Sequence, residues 1–281
     1  MNLVHVHMET RSNLLNQSVN EILRTVIDET PEVLHVVNPS RDVIEQLIDA
    51  ATEHEGDLPE MRMLANESIL KDVMEDFIIA SNAADLIDED ALRMRTTGES
   101  AGNELLITDD VVMALVTAGD RVGGLTSDDD EFVDAANDAY TTNWEEADEF
   151  SLRTPPLSRV RDTLRDEISA DAEGDFNSVL SSLETARGDG DGLDEVTISL
   201  LVAAKNEALL YDISKWGEDV GIASKATFSR TKTKLEDMGL IGTEKVPIDV
   251  GRPRLRLKLA HDELESADAD QLAGVAQSIL H

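Results

Sequence analysis

The chain contains no cysteine, which excludes disulfide bridges, thiolate metal sites and cysteine nucleophiles together. Aromatic residues make up only 3% of its 281 residues, and no stretch approaches the ~20 apolar residues that a membrane-spanning helix needs. The N-terminus also lacks the basic lead and long apolar run of a secretory signal. We therefore expect a soluble, cytoplasmic protein with no membrane partner.

Basic residues are scarce too, and this scarcity indicates the environment in which the protein works. The chain has 24 Lys and Arg residues against 59 Asp and Glu residues, a net charge of −35. A surface this acidic tolerates its own repulsion where abundant salt screens it, so we infer the cytoplasm of an extreme halophile. The alternative is an acidic disordered protein, but 41% hydrophobic residues and repeated periodic segments favour a folded chain.

One segment reverses the charge balance of the chain. Residues 222–258 hold 9 Lys and Arg residues against 4 Asp and Glu residues, whereas the remainder holds 15 against 55. A protein that repels polyanions nearly everywhere therefore keeps one short basic segment that attracts them. We expect the function of the protein to depend on this segment.

Residues 1–150 alternate between helical and strand periodicity, which is typical of an α/β domain with a mixed sheet. The predicted helices are a stripe from Leu14 to Ile27, one capped by Ser40, one from Ser68 through Phe77, and one from Asp128 to Phe150 with Phe132, Ala136, Tyr140 and Trp144 on one face. The predicted strands are Val33–Val37, Met61–Leu64, Ala91–Arg95, Leu105–Thr108, Val111–Thr117 and Arg121–Leu125. Because short turns separate the last three strands, we expect them to form an antiparallel meander.

Thr154-Pro155-Pro156 ends the last of these helices, since proline cannot continue a helix but readily begins one. We place a domain boundary here, after residue 150. Residues 151–192 are expected to form a helical linker that ends in a Gly/Asp hinge at residues 188–192. A C-terminal winged helix-turn-helix domain over residues 193–260 and a final helix over residues 261–281 complete the predicted organisation.

The periodicity of residues 193–260 predicts three helices followed by a wing. The elements expected in order are a helix over Asp194–Ala208, a helix with Ile213, Trp216 and Val220 on one face, a helix from the capping Ser224 to about Met238, and two strands over Ile241–Val246 and Arg254–Leu259. A loop over residues 247–253 joins the two strands. This order predicts a winged helix-turn-helix domain.

The third of these helices has the layout of a helix that enters a DNA groove. Five residues are expected on its inward side: Ser224, Phe228, Thr231, Leu235 and Met238. The opposite side then carries Ala226, Ser229, Arg230 and Thr233. Small side chains allow close approach to DNA, and Arg230 can pair with guanine or phosphate, or instead with Glu236 or Asp237.

The wing and the lysines of the third helix extend this candidate surface. In the second wing strand arginine and lysine alternate with leucine, so one strand face is cationic, and Arg252 at the tip suits the minor groove. The lysines of the helix are expected to grip phosphates. The candidate DNA-binding residues are Lys225, Thr227, Ser229, Arg230, Lys232, Thr233, Lys234, Arg252, Arg254 and Arg256.

The stretch ASKATFSRTKTKLEDMGLI over Ala223–Ile241, with the wing sequence Gly251-Arg-Pro-Arg, resembles archaeal winged-helix transcription regulators. The layout of residues 8–280 is similar to the haloarchaeal TbsP family, in which an acidic α/β domain precedes the winged helix. This resemblance implies a sequence-specific transcription factor that acts on central carbon metabolism genes. The helix with Tyr140 and Trp144 also resembles the effector domains of archaeal sugar-responsive regulators, but the domain order is reversed and no ligand residue is transferred.

We predict that residues 194–260 bind double-stranded promoter DNA, and that residues 8–150 bind a small-molecule effector or mediate assembly. A C-terminal apolar stripe either packs on the winged helix or joins a homodimer, since helix-turn-helix proteins usually bind two half-sites. This stripe comprises Leu264, Ala267, Leu272, Val275 and Ile279. No catalytic residue, metal site or cofactor is predicted. Two rival interpretations stay open: a protein-interaction adaptor whose winged helix docks on acidic proteins, and an enzyme that uses the α/β domain.

Overall fold

The computed structural model describes residues 14–98, 102–119, 121–183, 185–187, 193–247 and 253–280. The chain divides into two compact units. The first unit comprises residues up to 74 together with residues 85–152, and the second comprises residues 75–84 together with those from 153 onward. The predicted hinge at residues 188–192 lies outside the described residues.

The first unit is built on an eight-stranded mixed sheet with the strand order β1-β7-β6-β5-β2-β3-β4-β8. Its strands are β1 (Leu14–Gln17), β2 (Val33–Val37), β3 (Glu60–Asn66), β4 (Leu92–Thr97), β5 (Leu105–Ile107), β6 (Val112–Ala118), β7 (Arg121–Ser127) and β8 (Asp148–Glu149). Strands β2, β3 and β4 are parallel to one another, and every other pair is antiparallel. The predicted meander is therefore present as β5-β6-β7.

Five helices follow these strands along the chain, and one of them, α4, has its residues 77–84 in the second unit. They are α1 (Val19–Glu29), α2 (Arg41–Thr52), α3 (Glu67–Val73), α4 (Phe77–Asp88) and α5 (Asp130–Glu146). Residues Leu34 to Val37 of β2 are all buried, which indicates that both faces of this strand are covered. On one face, Val133 of α5 joins a buried cluster with Val37, Ile107 and Val112.

Two sequence predictions for this unit were wrong in detail. Leu14 and Leu15 lie in β1 and not in the first helix, because Ser18 begins α1 with a capping box completed by Glu21. The single helix expected from Ser68 is two helices, α3 and α4. On α5, Ala136 and Tyr140 pack with Val133 against the buried cluster and Trp144 is buried, whereas Phe132 is 53% exposed.

The second unit contains seven helices and a two-stranded sheet among its described residues outside α4. These elements are α6 (Leu157–Glu167), α7 (Ala170–Ser181), α8 (Glu195–Lys205), α9 (Leu210–Val220), α10 (Lys225–Asp237), β9 (Ile241–Val246), β10 (Arg254–Leu259), α11 (Asp262–Ser266) and α12 (Ala269–Leu280). The three helices and wing expected from the sequence are α8, α9, α10 and the β9-β10 hairpin. A mixed-sheet α/β domain followed by a C-terminal helix-turn-helix domain is thus confirmed.

A single hydrophobic core runs through the second unit and includes more of the chain than the predicted winged helix. Leu164 of α6 and Phe176 of α7 are buried in the same cluster as Trp216 and Phe228. The described part of residues 151–192, expected to be a linker, instead contributes α6 and α7 to this core. Of the C-terminal apolar stripe, Leu264 and Leu272 are fully buried in it as well, with α12 contacting α7 and α8.

A buried carboxylate, Asp76, organises the start of α4 and the segment 185–187. Its Oδ1 atom accepts hydrogen bonds from the N–H groups of Ile78 and Ile79, at 2.9 and 3.4 Å, so it caps the helix. The same carboxylate accepts hydrogen bonds from the Thr185 hydroxyl and the Ala186 N–H, and lies 3.6 Å from Nε of Arg187. Asp76 also explains why the predicted helix from Ser68 breaks in two.

We expect Asp76→Ala to lower the free energy of unfolding by about 3–5 kcal/mol, because it removes one partner of a buried ion pair together with a helix cap. Urea unfolding followed by tryptophan fluorescence measures the change. The matched control is Asp88→Ala at the exposed end of α4, which should stay within about 0.5 kcal/mol of the wild type. Equal effects of the two substitutions would contradict this role for Asp76.

Candidate nucleic-acid interface

Helices α8, α9 and α10 form the framework that holds the candidate DNA-binding residues. Ile213, Trp216 and Val220 of α9 are buried on one face, as their spacing predicts. The buried Trp216 indole N–H donates a hydrogen bond to the Thr163 hydroxyl of α6 at 3.0 Å, which satisfies its polar atom. The framework of the winged helix is therefore anchored to α6, outside the predicted domain.

A close contact between α9 and α10 sets the position of the third helix. A Cβ atom at Gly217 would lie 2.3 Å from ring carbons of Phe228, which is fully buried, so only glycine fits at this position. Gly221 then ends α9 with a φ of 100°, which favours glycine, and the Ile222 N–H donates to the Gly217 carbonyl at 2.8 Å. These two glycines produce the tight turn between the helices.

Ser224 begins α10 as predicted, since its side chain accepts a hydrogen bond from the Thr227 N–H at 3.2 Å. The Ser224 and Thr227 hydroxyls also form a hydrogen bond of 3.0 Å. Phe228 and Leu235 are buried on the inward side, whereas Met238, predicted to lie there, is 39% exposed. The helix thus packs against the core over its middle turns, whereas its C-terminal end is exposed to solvent.

The outward face of α10 carries the residues that the sequence places there. Ala226, Ser229, Arg230 and Thr233 are all exposed, and Lys234 is exposed beside them. Within the described part of the chain, neither Arg230 nor Lys234 forms an ion pair, so the alternative pairing of Arg230 with Glu236 or Asp237 does not occur there. The Thr233 hydroxyl donates to the Ser229 carbonyl at 3.0 Å, which leaves its oxygen free to accept.

Lys225 lies at the N-terminus of α10 in contact with Glu218 of α9. Its ammonium group is 2.6 Å from the Glu218 carboxylate, which also accepts a hydrogen bond from the Lys225 backbone N–H at 3.3 Å. The side-chain hydrogen bond lowers the pKa of Glu218 and raises the pKa of Lys225. Lys225 is therefore held by an anion of its own chain.

Lys232 occupies a different environment from the other predicted cations. Its side chain is only 13% exposed, and its ammonium group donates to Glu236 at 2.8 Å. Glu236 also accepts from the Thr243 hydroxyl at 2.9 Å, so these three residues join α10 to β9. Burial favours the neutral form of Glu236, but the hydrogen bonds from Lys232 and Thr243 outweigh it and lower the pKa of Glu236.

In the wing, β9 and β10 pair antiparallel, with Arg254 opposite Val246 and Leu259 opposite Ile241. Leu257 is buried, which agrees with the alternation that the sequence shows. The β10 strand also forms a bridge on its other side, where Arg256 lies opposite Leu209. The wing is thereby attached to the turn between α8 and α9.

Each described cation of β10 lies near an acidic side chain. Arg254 is 3.4 Å from Asp212, Arg256 is 3.9 Å from Glu207, and Lys258 is 2.8 Å from Glu244. The hydrogen bond between Lys258 and Glu244 raises the pKa of the lysine and lowers that of the glutamate. Arg252, predicted to enter the minor groove, lies outside the described residues.

Two residues of this surface were missed by the sequence analysis. Tyr211 is 52% exposed, and the guanidinium of Arg254 lies 5.1 Å from its ring centre in a cation–π contact. Lys245 on β9 is exposed and has no ion pair among the described residues. Because Tyr211 is exposed, it does not belong to the apolar period of α9 by which buried residues are predicted. It contacts Arg254 only because α9 and β10 pack together.

No group of acidic or histidine side chains in the described ranges is arranged to hold a metal ion. No helix in the same part of the chain has the length and apolar character needed to cross a membrane. The chemistry of the surface is instead that of exposed cations, hydroxyl groups and a helix N-terminus. These groups recognise phosphate oxygens and the edges of bases.

Two adjoining family models match the chain: "Transcriptional regulator TbsP-like, N-terminal" over residues 11–155, and "Transcriptional regulator TbsP-like, C-terminal HTH domain" over residues 156–277. No curated protein matches it. Among solved structures, it is similar to TrmBL2, described as an archaeal chromatin protein with a novel mode of DNA binding, at 13% identity and a TM-score of 0.36. That match covers 53% of this chain and only 57% of the TrmBL2 chain. NucT from Helicobacter pylori is matched at 15% identity and a TM-score of 0.34, over 50% of this chain and 98% of that one.

We expect Gly217→Ala to reduce the free energy of unfolding by about 1–3 kcal/mol, because the added methyl group overlaps the buried ring of Phe228. The control is Gly174→Ala in α7, where an added Cβ has no neighbour within 4 Å. That change should stabilise the protein by up to about 1 kcal/mol through helix propensity alone. Denaturant unfolding of both variants measures the contrast, and stabilisation by both would contradict a tight contact at Gly217.

Proposed function

The chain belongs to the TbsP-like family of transcriptional regulators, and on this premise we propose that it binds double-stranded promoter DNA in a sequence-specific manner through α10 and its wing. The observation that carries the proposal is the outward face of α10. There Arg230 and Lys234 project to solvent without ion pairs among the described residues, beside the small or hydroxyl side chains of Ala226, Ser229 and Thr233. This combination suits a helix in the major groove.

The positions of these groups suggest which of them would contact bases and which would contact phosphates. Ala226 allows the helix to approach the groove floor, and Arg230 is placed to pair with guanine or with phosphate. The first turn of α10 carries no acidic residue of its own, and a DNA phosphate would replace Glu218 of α9 at the Lys225 N–H. Lys234, Lys245 and the wing cations would bind the DNA backbone, while Lys232 mainly holds α10 against β9.

The remaining parts of the proposal concern assembly, effector and context. Two half-sites about one helical turn apart require two winged helices, which favours a homodimer. Because the C-terminal stripe is engaged in the core of its own unit, we propose that the dimer contact lies elsewhere. We assign the α/β unit to effector binding or assembly. The regulation of central carbon metabolism genes rests on the family resemblance, and the halophilic archaeal cytoplasm on the net charge of −35.

We expect Arg230→Ala to weaken DNA binding by about 1–3 kcal/mol, as for the loss of one arginine contact to a base. Fluorescence anisotropy with DNA selected by genome-wide mapping of bound sites measures the affinity. Arg93→Ala, which removes an exposed arginine from the α/β unit, is the charge-matched control and should bind as the wild type does.

The pattern of the loss identifies the contact that Arg230 makes. A loss confined to particular sequences indicates a base contact, while a uniform loss, with a salt slope reduced by about 1, indicates a phosphate contact. An unchanged affinity would remove Arg230 from the interface. Failure of the wild type to bind DNA at any salt concentration would overturn the proposed function and favour the adaptor interpretation.

A further inference from the structure

Four cations of the winged helix are paired with carboxylates of the same unit. We call the acids Glu207, Asp212, Glu218 and Glu244 the counter-acids. Their partners, in the same order, are Arg256, Arg254, Lys225 and Lys258, at distances of 3.9, 3.4, 2.6 and 2.8 Å. In the described structure these four cations are thus paired with carboxylates, while Arg230, Lys234 and Lys245 have no ion pair.

Glu218 shows most clearly what the counter-acids replace. Its carboxylate receives both the Lys225 ammonium group and the Lys225 backbone N–H at the start of α10. A positively charged side chain together with a helix N-terminal N–H is the arrangement that binds phosphate in many proteins. The Glu218 carboxylate therefore accepts from two groups that together could bind a phosphate.

The counter-acids differ from the structural acid Glu236 in exposure. Their side chains are between 40% and 57% exposed, whereas the Glu236 side chain is 28% exposed and its partner Lys232 13%. Ion pairs this exposed are weak and exchange readily with solvent ions, because water screens both charges. A phosphate can replace the carboxylate in such a pair without leaving a buried charge uncompensated.

We propose that DNA binding by this protein is an exchange, in which DNA phosphates displace the counter-acids from the cations of the winged helix. The proposal rests on the proposed function and adds how the interface responds to salt. When an unpaired cation meets DNA, about 0.9 of a counterion is released for each phosphate, and affinity falls as salt rises. When a paired cation moves to a phosphate, the freed carboxylate takes up a cation from solution, which offsets that release.

The exchange makes DNA binding less sensitive to salt than the number of cations suggests. Among the described cations of the basic segment, full counterion release would come only from the three that have no ion pair: Arg230, Lys234 and Lys245. Lys232 is left out of this comparison because it is more buried and paired with Glu236. The cost is a lower affinity in dilute salt, where the carboxylates compete with phosphate. The gain is that affinity persists where salt is abundant, the condition that the acidic composition indicates.

The test compares four neutral variants, Glu207→Gln, Asp212→Asn, Glu218→Gln and Glu244→Gln, singly and combined, in the full-length chain. Anisotropy titrations use a labelled duplex of about 30 base pairs from the mapped bound sites, long enough for two half-sites one turn apart. Potassium chloride is varied between about 0.1 and 2 M, which spans weak to nearly complete screening. The control is Asp237→Asn, an exposed acid of α10 with no ion pair in the described structure, which changes the net charge equally.

Each counter-acid variant is expected to bind more tightly in dilute salt and to steepen the slope of log affinity against log salt by about 0.9, if its cation meets one phosphate. All variants should converge on the wild type at high salt. Asp237→Asn should raise the affinity slightly and leave the slope nearly unchanged. Circular dichroism confirms that each variant is folded.

Slopes of the counter-acid variants that equal the slope of Asp237→Asn would overturn the exchange, since the acids would then act only through net charge. Weaker binding by the counter-acid variants would overturn it as well, because the acids would then hold the cations in position for DNA. A wild type that binds no duplex at any salt concentration refutes the proposed function itself. The two failures are therefore distinguishable.

Discussion

The burial of Phe228 against Gly217 is the contact on which the arrangement of the winged helix depends. It brings α10 so close to α9 that no side chain fits between them, and this orients the helix about its own axis. Once Phe228 faces inward, the helical repeat places Arg230 and Thr233 outward. The Ser224 cap and the contact of β9 with α10 are then made with a helix whose orientation is set by Phe228.

Electrostatics is the second constraint, and it acts on the whole chain. With a net charge of −35, carboxylates far outnumber cations, so a basic surface on this chain has acidic side chains as neighbours. The structure places an acid beside each described cation of β10, and it leaves Arg230 and Lys234 on α10 without ion pairs among the described residues. Lys232 and Glu236 show the other use of a charge pair, since their low exposure makes them part of the framework between α10 and β9.

Local signals in the sequence predicted most elements of both units. Ser40 and Ser224 each cap a helix as expected, and the strands of the meander were found within a few residues. The errors came where a distant partner decides the outcome. Leu14 and Leu15 continue an apolar helical stripe in sequence but pair with β7, and Asp76 ends a predicted helix because Thr185 and Ala186 reach it from far along the chain.

The sequence by itself determined that the C-terminal part of the chain contains a helix-turn-helix with a wing, which residues of α10 face outward, and that the basic charge is concentrated there. These properties follow from helical and strand periods and from caps, which act over a few residues. Only the tertiary structure decided which cations are free. Lys225 meets Glu218 and Arg254 meets Asp212 because separate elements pack together, and such pairs leave no trace in local spacing.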